Sequence, residues 1–225
     1  KVLSGGRNWR GVLKVKHADR VYRGQWVAPL RAGTFGAGLS FPAVARRAKE
    51  IEALPSLGLL TLAGMLPQGV EAEYLEIRDM EGDLPTDFDA VCISTLTATA
   101  KEAYRLAARY REAGIPVILG GLHVSLSPNE AKKHADAICV GEGESVWPEI
   151  VADLLENRLQ PVYNARKRPF DLGNSAIPAF ELLTGDRYPR FTIQTQRGCP
   201  LSCEFCAASM RISPPVIIVS PLPAP

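Results

Sequence analysis

Two hydrophobic periods alternate along the middle of the chain. Short, unbroken apolar runs, the pattern of strands buried on both faces, occur in "DAVCIST" (89–95), "IPVILGG" (115–121) and "DAICVGEGE" (136–144). Between them the period lengthens to that of a helix. In "TATAKEAYRLAARYREAG" (97–114), Ala103, Leu106, Ala107 and Tyr110 share one face and Gly114 marks the stop. "SVWPEIVADLLEN" (145–157) carries Trp147, Ile150, Val151 and Leu154 on one stripe. Ser127-Pro128-Asn129-Glu130 has the form of a capping box with proline at the first helical position. Upstream, "EAEYLEIRD" (71–79) predicts a strand, and "PSLGLLTLAGML" (55–66), apolar on nearly all sides, a buried helix. "GQWVAPLRAG" (24–33) predicts the first strand and its exit loop.

Strand–helix units joined by short connections predict an α/β fold, a doubly wound parallel sheet of the Rossmann or flavodoxin-like kind. Such sheets bind ligands beyond the carboxyl ends of their strands. Those ends are small or polar here: Ser94–Thr97, Gly120–Ser125 and Gly141–Glu144. Past Asn157 the periodicity fades, and "RLQPVYNARKRPFDLGNSAIPAFELL" reads as a connector. "RYPRFTIQTQRG" (187–198) then predicts a new strand, Phe191–Thr195, that delivers Cys199 into a loop. The organisation expected is a domain over 24–158, a connector over 159–186 and the start of a second domain over 187–214.

Composition narrows the function classes. The chain is 46% hydrophobic and 22% charged, with a net charge of +2 that gives no reason to expect nucleic acid. No run of 18 apolar residues suggests a membrane span, and the N-terminus lacks a signal peptide's apolar core. Five cysteines, an odd number, point to reduced thiols and a cytoplasmic location. The stretch 1–23, with seven basic residues against Asp19 alone, reads as a basic N-terminal extension. The tail 215–225 is dense in proline and is expected to be disordered or artefactual.

Three cysteines fall within eight residues, Cys199, Cys203 and Cys206. Closely spaced thiolates on one loop can reach several irons of one cluster, and three of them leave one iron open. Structural zinc wants four ligands, and His123 and His134 lie far off in sequence. A disulfide and incidental burial are the other readings. Cys92 and Cys139 sit inside apolar strands and read as small buried hydrophobes.

Cys199-x-x-x-Cys203-x-x-Cys206, with Phe205 before the last cysteine and Arg-Gly-Cys-Pro at its head, resembles the cluster motif of radical S-adenosylmethionine (SAM) enzymes. The stretch 55–66, "GGLHVSLSP", "GEGES" and the connector are similar to members with an N-terminal cobalamin-binding domain. The resemblance runs from about Gly24 to Pro214. It implies a 4Fe-4S cluster on the three cysteines, SAM on the open iron with Phe205 beside its adenine, and cobalamin on the first domain. Methyl transfer or a radical rearrangement of an unknown small molecule would follow, with electrons from a donor such as flavodoxin or ferredoxin. Ser94-Thr95-Leu96 and Gly120-Gly121 match the family's Ser-x-Leu and Gly-Gly elements; His123, Gly141, Glu142 and Gly143 are the other expected cobalamin contacts.

Glu142 and Glu144 would touch the corrin rim or cap the helix that follows, and His123 is read as a loop hydrogen-bonder. The family's Asp-x-His-x-x-Gly element is absent; upstream of Ser94 the only histidine is His17. Only 19 residues follow Cys206, so the expectation is a chain truncated after the first strand and loop of a TIM-like barrel, inactive alone. The alternative is a non-catalytic cobalamin- or small-ligand-binding module with a vestigial cluster loop. A receiver-like signalling domain would need an acidic cluster, and Asp79 stands alone.

Overall fold

The computed structural model describes residues 11–18, 55–77, 82–183, 192–198, 206 and 218–219. Six strands form one wholly parallel sheet: β1 Gly11–Ala18, β2 Val70–Ile77, β3 Ala90–Ser94, β4 Val117–Gly120, β5 Ala137–Val140 and β6 Val162–Asn164. Their spatial order is β2-β1-β3-β4-β5-β6. The chain steps one way from β1 to β2 and the other way from β3 onward. The topological switch therefore lies between β1 and β3, where open α/β sheets place ligands.

Strands β3, β4 and β5 are short and apolar because they bury both faces. On β3, Val91 and Ile93 pack into one core while Ala90 and Cys92 pack into another; on β5, Ile138 and Val140 split from Ala137 and Cys139 in the same way. The first core is covered by α2 (Ala100–Glu112), α3 (Leu122–Leu126) and α4 (Pro128–Ala131). The predicted stripe of α2 is inward as expected, since Ala103, Leu106, Ala107 and Tyr110 are all fully buried. Gly114, with φ of +76°, ends that helix, and its N–H bonds back to Arg111. The second core is covered by α5 (Trp147–Leu155) and by α1 (Leu57–Gly64), whose Leu62 packs there. The other flank of α1, Leu59, Leu60 and Ala63, packs with Tyr74 and Ala179.

Several expectations are corrected. Gly11–Ala18, inside the stretch read as a basic extension, is an inner strand between β2 and β3. Lys14, Lys16 and His17 interleave with Val12, Leu13 and Val15 and mask the apolar run in a composition count. The sheet also extends past the expected boundary at 158, because β6 adds an edge strand. Only its central residue is buried: the Tyr163 hydroxyl donates to Asp153 Oδ2 at 2.8 Å. One buried residue in three leaves no periodic signal. The connector packs on α1, with the Ala179 N–H on the Leu60 carbonyl. The capping box does not form, since Ser127 makes no side-chain cap and Glu130 lies 3.7 Å from His123 instead.

The proposed strand at 24–33 lies outside the described residues, as does Phe191. Residues 192–195 carry no ladder, and a two-residue strand, β7 (Gln196–Arg197), follows them. It pairs antiparallel with β8 (Ile218–Val219), in the tail expected to be disordered. A TIM-like barrel pairs its strands in parallel, and no such pairing of this region occurs among the described residues. Among those residues, no helix is long and apolar enough to cross a membrane.

Leu106 and Arg105 are neighbours on α2, the first fully buried and the second's side chain 61% exposed. Leu106→Ala is expected to lower unfolding free energy by about 2–5 kcal/mol in urea titrations. Arg105→Ala is expected to change it by less than about 0.5 kcal/mol. Equal costs would contradict the assignment of the inward face.

Candidate functional site

At the carboxyl ends of β3, β4 and β5, on the face covered by α1 and α5, the chain encloses a cavity of about 310 Å³. That size is at the lower end of small-molecule sites. Strand residues Cys92, Ile118 and Cys139 form its sheet wall, Gly58, Leu59 and Leu62 come from α1, and Trp147 and Ile150 from α5. The lining is mostly apolar, and glycines stand where the strands end: Gly120, Gly121, Gly141 and Gly143.

Two of these glycines are required by the backbone. Gly121 has φ of +97°, and a Cβ there would lie 2.6 Å from the Thr95 carbonyl oxygen and 2.8 Å from its nitrogen. Gly141 has φ of +95°, with a hypothetical Cβ 3.2 Å from the Arg166 nitrogen. These close approaches let the strand exits bond to one another. The Thr95 N–H donates to the Gly120 carbonyl and the His123 N–H to the Thr95 carbonyl. The fully buried Ser125 joins the next pair: its hydroxyl donates to the Gly121 carbonyl and accepts from the Gly141 N–H.

The expected cobalamin contacts divide accordingly. Ser94, Gly120, Gly121, Gly141, Glu142 and Gly143 line the cavity; Thr95, Leu96 and His123 do not. Thr95 is 1% exposed, its hydroxyl engaged with Thr99 Oγ1 and the Leu96 carbonyl. His123 is buried on the opposite face of the sheet. Its Nε2 meets the Tyr104 hydroxyl at 3.0 Å and its Nδ1 meets Thr97 Oγ1 at 3.3 Å. Tyr104 in turn stacks on His134 at 4.0 Å. Neither His123 nor His134 lines the cavity. His17, placed by sequence in the basic extension, occupies the β1 position registered with Ser94.

Charge gathers at one side of the cavity. Arg197 Nη2 donates to Glu144 Oε1 at 2.6 Å, and its Nη1 lies 3.5 Å from Glu142 Oε1. All three side chains are at most 17% exposed. The carboxylates thus hold the segment that leads to Cys199, and neither caps α5. Of the expected cluster residues, Cys199, Cys203 and Phe205 lie outside the described residues, and Cys206 is half-buried. No group of three metal-ligating side chains forms among the described residues. Sequence reasoning missed the role of Arg197, and it named Trp147 and the α1 stretch 55–66 without placing them at the cavity.

Burial pushes the Cys92 thiol from 9.0 up to about 12, with Cys139 nearby adding to it. Burial likewise raises Cys139 to about 12, and Glu144 adds to that. At pH 8 a thiol reagent is therefore expected to leave both unlabelled until the chain unfolds. Because unfolding returns both thiols to ordinary acidity, their protonated forms favour the fold fully below about pH 9. That contribution declines as pH rises toward 12. Rapid labelling of native Cys92 or Cys139, read by mass spectrometry, would contradict the burial.

Arg197→Ala leaves Glu142 and Glu144 without their cation. A stability loss of about 2 kcal/mol is expected. Amide hydrogen exchange over 192–198 is expected to quicken while that of β4 stays slow. Unchanged exchange in 192–198 would show that the ion pairs do not hold the segment.

Residues 48–151 match the B12 binding domain family. The chain is 37% identical over 127 residues to the bacteriochlorophyllide d C-8(2)-methyltransferase of Chlorobaculum tepidum, covering 53% of this chain and 28% of that one. It is 32% identical over 158 residues to the bacteriochlorophyllide d C-12(1)-methyltransferase of the same organism, covering 67% and 34%. It is 30% identical over 159 residues to the hopanoid C-2 methylase of Rhodopseudomonas palustris, covering 68% and 30%. The matched region thus spans 28–34% of these relatives' own lengths. The cavity-forming strands β3 to β5 fall inside 48–151, so the chain carries a B12 binding domain there and is homologous to methyltransferases.

Proposed function

We propose that this chain supplies the cobalamin-binding and cluster-binding parts of a cobalamin-dependent radical SAM methyltransferase. The observation that carries the reading is the coincidence of the B12 binding match with an apolar, glycine-edged cavity at the strand ends. The residues present fit such a ligand. A flat aromatic tail would be held by Leu59, Leu62, Ile118 and Ile150, and Gly120, Gly121 and Gly143 would leave room for it. When bound, cobalamin supplies a cobalt centre able to carry a methyl group.

The remaining roles belong to this chain's own side chains. Glu142 and Glu144, neutralised in part by Arg197, fix the approach of the segment that ends at Cys199. Cys199, Cys203 and Cys206 hold a 4Fe-4S cluster in this reading, with SAM beside Phe205. The relatives named above are methyltransferases and a methylase, which favours methyl transfer over rearrangement. The substrate is a small molecule, and a reduced flavodoxin or ferredoxin is the proposed electron source.

Anaerobic titration with cobalamin, followed by reconstitution with iron and sulfide, tests both parts. Cobalamin is expected to bind, and a broad visible absorbance is expected that disappears in Cys203→Ala. Cobalamin binding without iron uptake would leave a binding module and remove the radical SAM assignment. Failure to bind cobalamin would overturn the reading as a whole.

A further inference from the structure

Arg197 reaches into the cavity from a segment that otherwise lies on the surface. Residues 192–195 are exposed, Ile193 at 72%, whereas the Arg197 side chain is 17% exposed and joins the cavity lining. The segment is not stitched into the six-stranded sheet, because the ladder of Gln196–Arg197 is with β8. Side chains bring it to the cavity instead. Arg197 meets Glu144 Oε1 at 2.6 Å and Glu142 Oε1 at 3.5 Å, and Gln194 Oε1 accepts from the same guanidinium at 2.9 Å. Glu142 and Glu144 directly follow the carboxyl end of β5, so this contact lies across the carboxyl edge of the cavity.

We propose that the contact of Arg197 with Glu142 and Glu144 is an autoinhibitory latch: closed, it bars that edge, and a corrinoid binds only once Arg197 lets go. The proposal takes its ligand from the cobalamin reading above and adds to it how entry is controlled. Size carries the argument. A cavity of about 310 Å³ is at the lower limit for a drug-sized ligand. A corrinoid is far larger, so most of it must stand outside. The sheet wall and the two helices are packed core, which leaves the edge spanned by Arg197 as the way out. The closed contact and a bound corrinoid therefore compete for one edge. Charge makes the closed arrangement definite, since one guanidinium faces two carboxylates that are at most 11% exposed. So little water reaches these carboxylates that the cation is their main source of stabilisation. Opening returns all three groups to water, and the ligand has to supply only the difference.

Arg197→Ala removes the latch, and hydroxocobalamin is expected to bind this variant about tenfold more tightly than the wild type. A residue that merely braces the site would give the opposite sign. In the wild type, amide hydrogen exchange over 192–198 is expected to quicken when hydroxocobalamin is added, while that of β4 stays slow. That measurement does not require the variant to fold. Weaker or unchanged binding by folded Arg197→Ala, or slower or unchanged exchange over 192–198 in the cobalamin-bound wild type, would overturn the latch. Thiol labelling without cobalamin separates the latch from the reading beneath it. Cys139, in the cavity wall, is expected to react with N-ethylmaleimide about tenfold faster in native Arg197→Ala than in the wild type, read by peptide mass spectrometry. Equal labelling would overturn the latch. Faster labelling with no cobalamin binding by either protein would support a latch at the cavity and overturn the cobalamin reading.

Discussion

The approach of Gly121 to the backbone of Thr95 governs the geometry of the sheet's carboxyl edge. Nothing larger than hydrogen fits between them, and the left-handed φ at Gly121 would strain any side chain. From this contact the exits of β3 and β4 are held together by backbone hydrogen bonds, and Ser125 extends the connection to β5. The polar loop groups on the α2–α4 side satisfy one another. The opposite side, under α1 and α5, is thereby free to keep a cavity without a cost in unpaired loop amides.

The two faces of the same strand ends consequently do different work. The His123 ring meets Thr97 and Tyr104 and its backbone N–H donates to Thr95, which explains why a histidine near Gly-Gly stays away from the cavity. On the cavity side, the walls are carbon and protonated sulfur, and charge is confined to the Glu142, Glu144 and Arg197 group. That distribution suits a ligand with an apolar, planar end and a large polar remainder. The ion pairs also tie Arg197 to the β5 loop, so the cavity and residues 192–198 share one boundary.

Much of the sheet was legible because buried parallel strands announce themselves as unbroken apolar runs. Ala90–Ser94, Val117–Gly120 and Ala137–Val140 fall inside the predicted segments, and the inward faces of α2 and α5 follow their periodicity. The small residues at the strand ends located the cavity for the same reason. What escaped were features fixed by partners distant in sequence. Strand β1 hides among lysines, β6 buries a single tyrosine, and the role of Arg197 depends on carboxylates more than fifty positions earlier. Trp147 was visible only as one member of a helical stripe, since its place at the cavity depends on neighbours from other elements. The misread capping box shows the reverse case, in which a good local motif yields to a tertiary contact between Glu130 and His123.

The inner position of β1 has a consequence for assembly. Leu13 pairs with both Ala72 and Ala90, so β1 joins two halves that have no direct ladder with each other. The β3–β6 half is built from sequential, short-range units and can collapse as soon as it is synthesised. Seating β1 closes a much longer loop, and pairings of that kind are intrinsically slow to form. Gly11–Ala18 is therefore the pairing most costly in loop closure, and without it the edges of β2 and β3 would stand open to another extended chain.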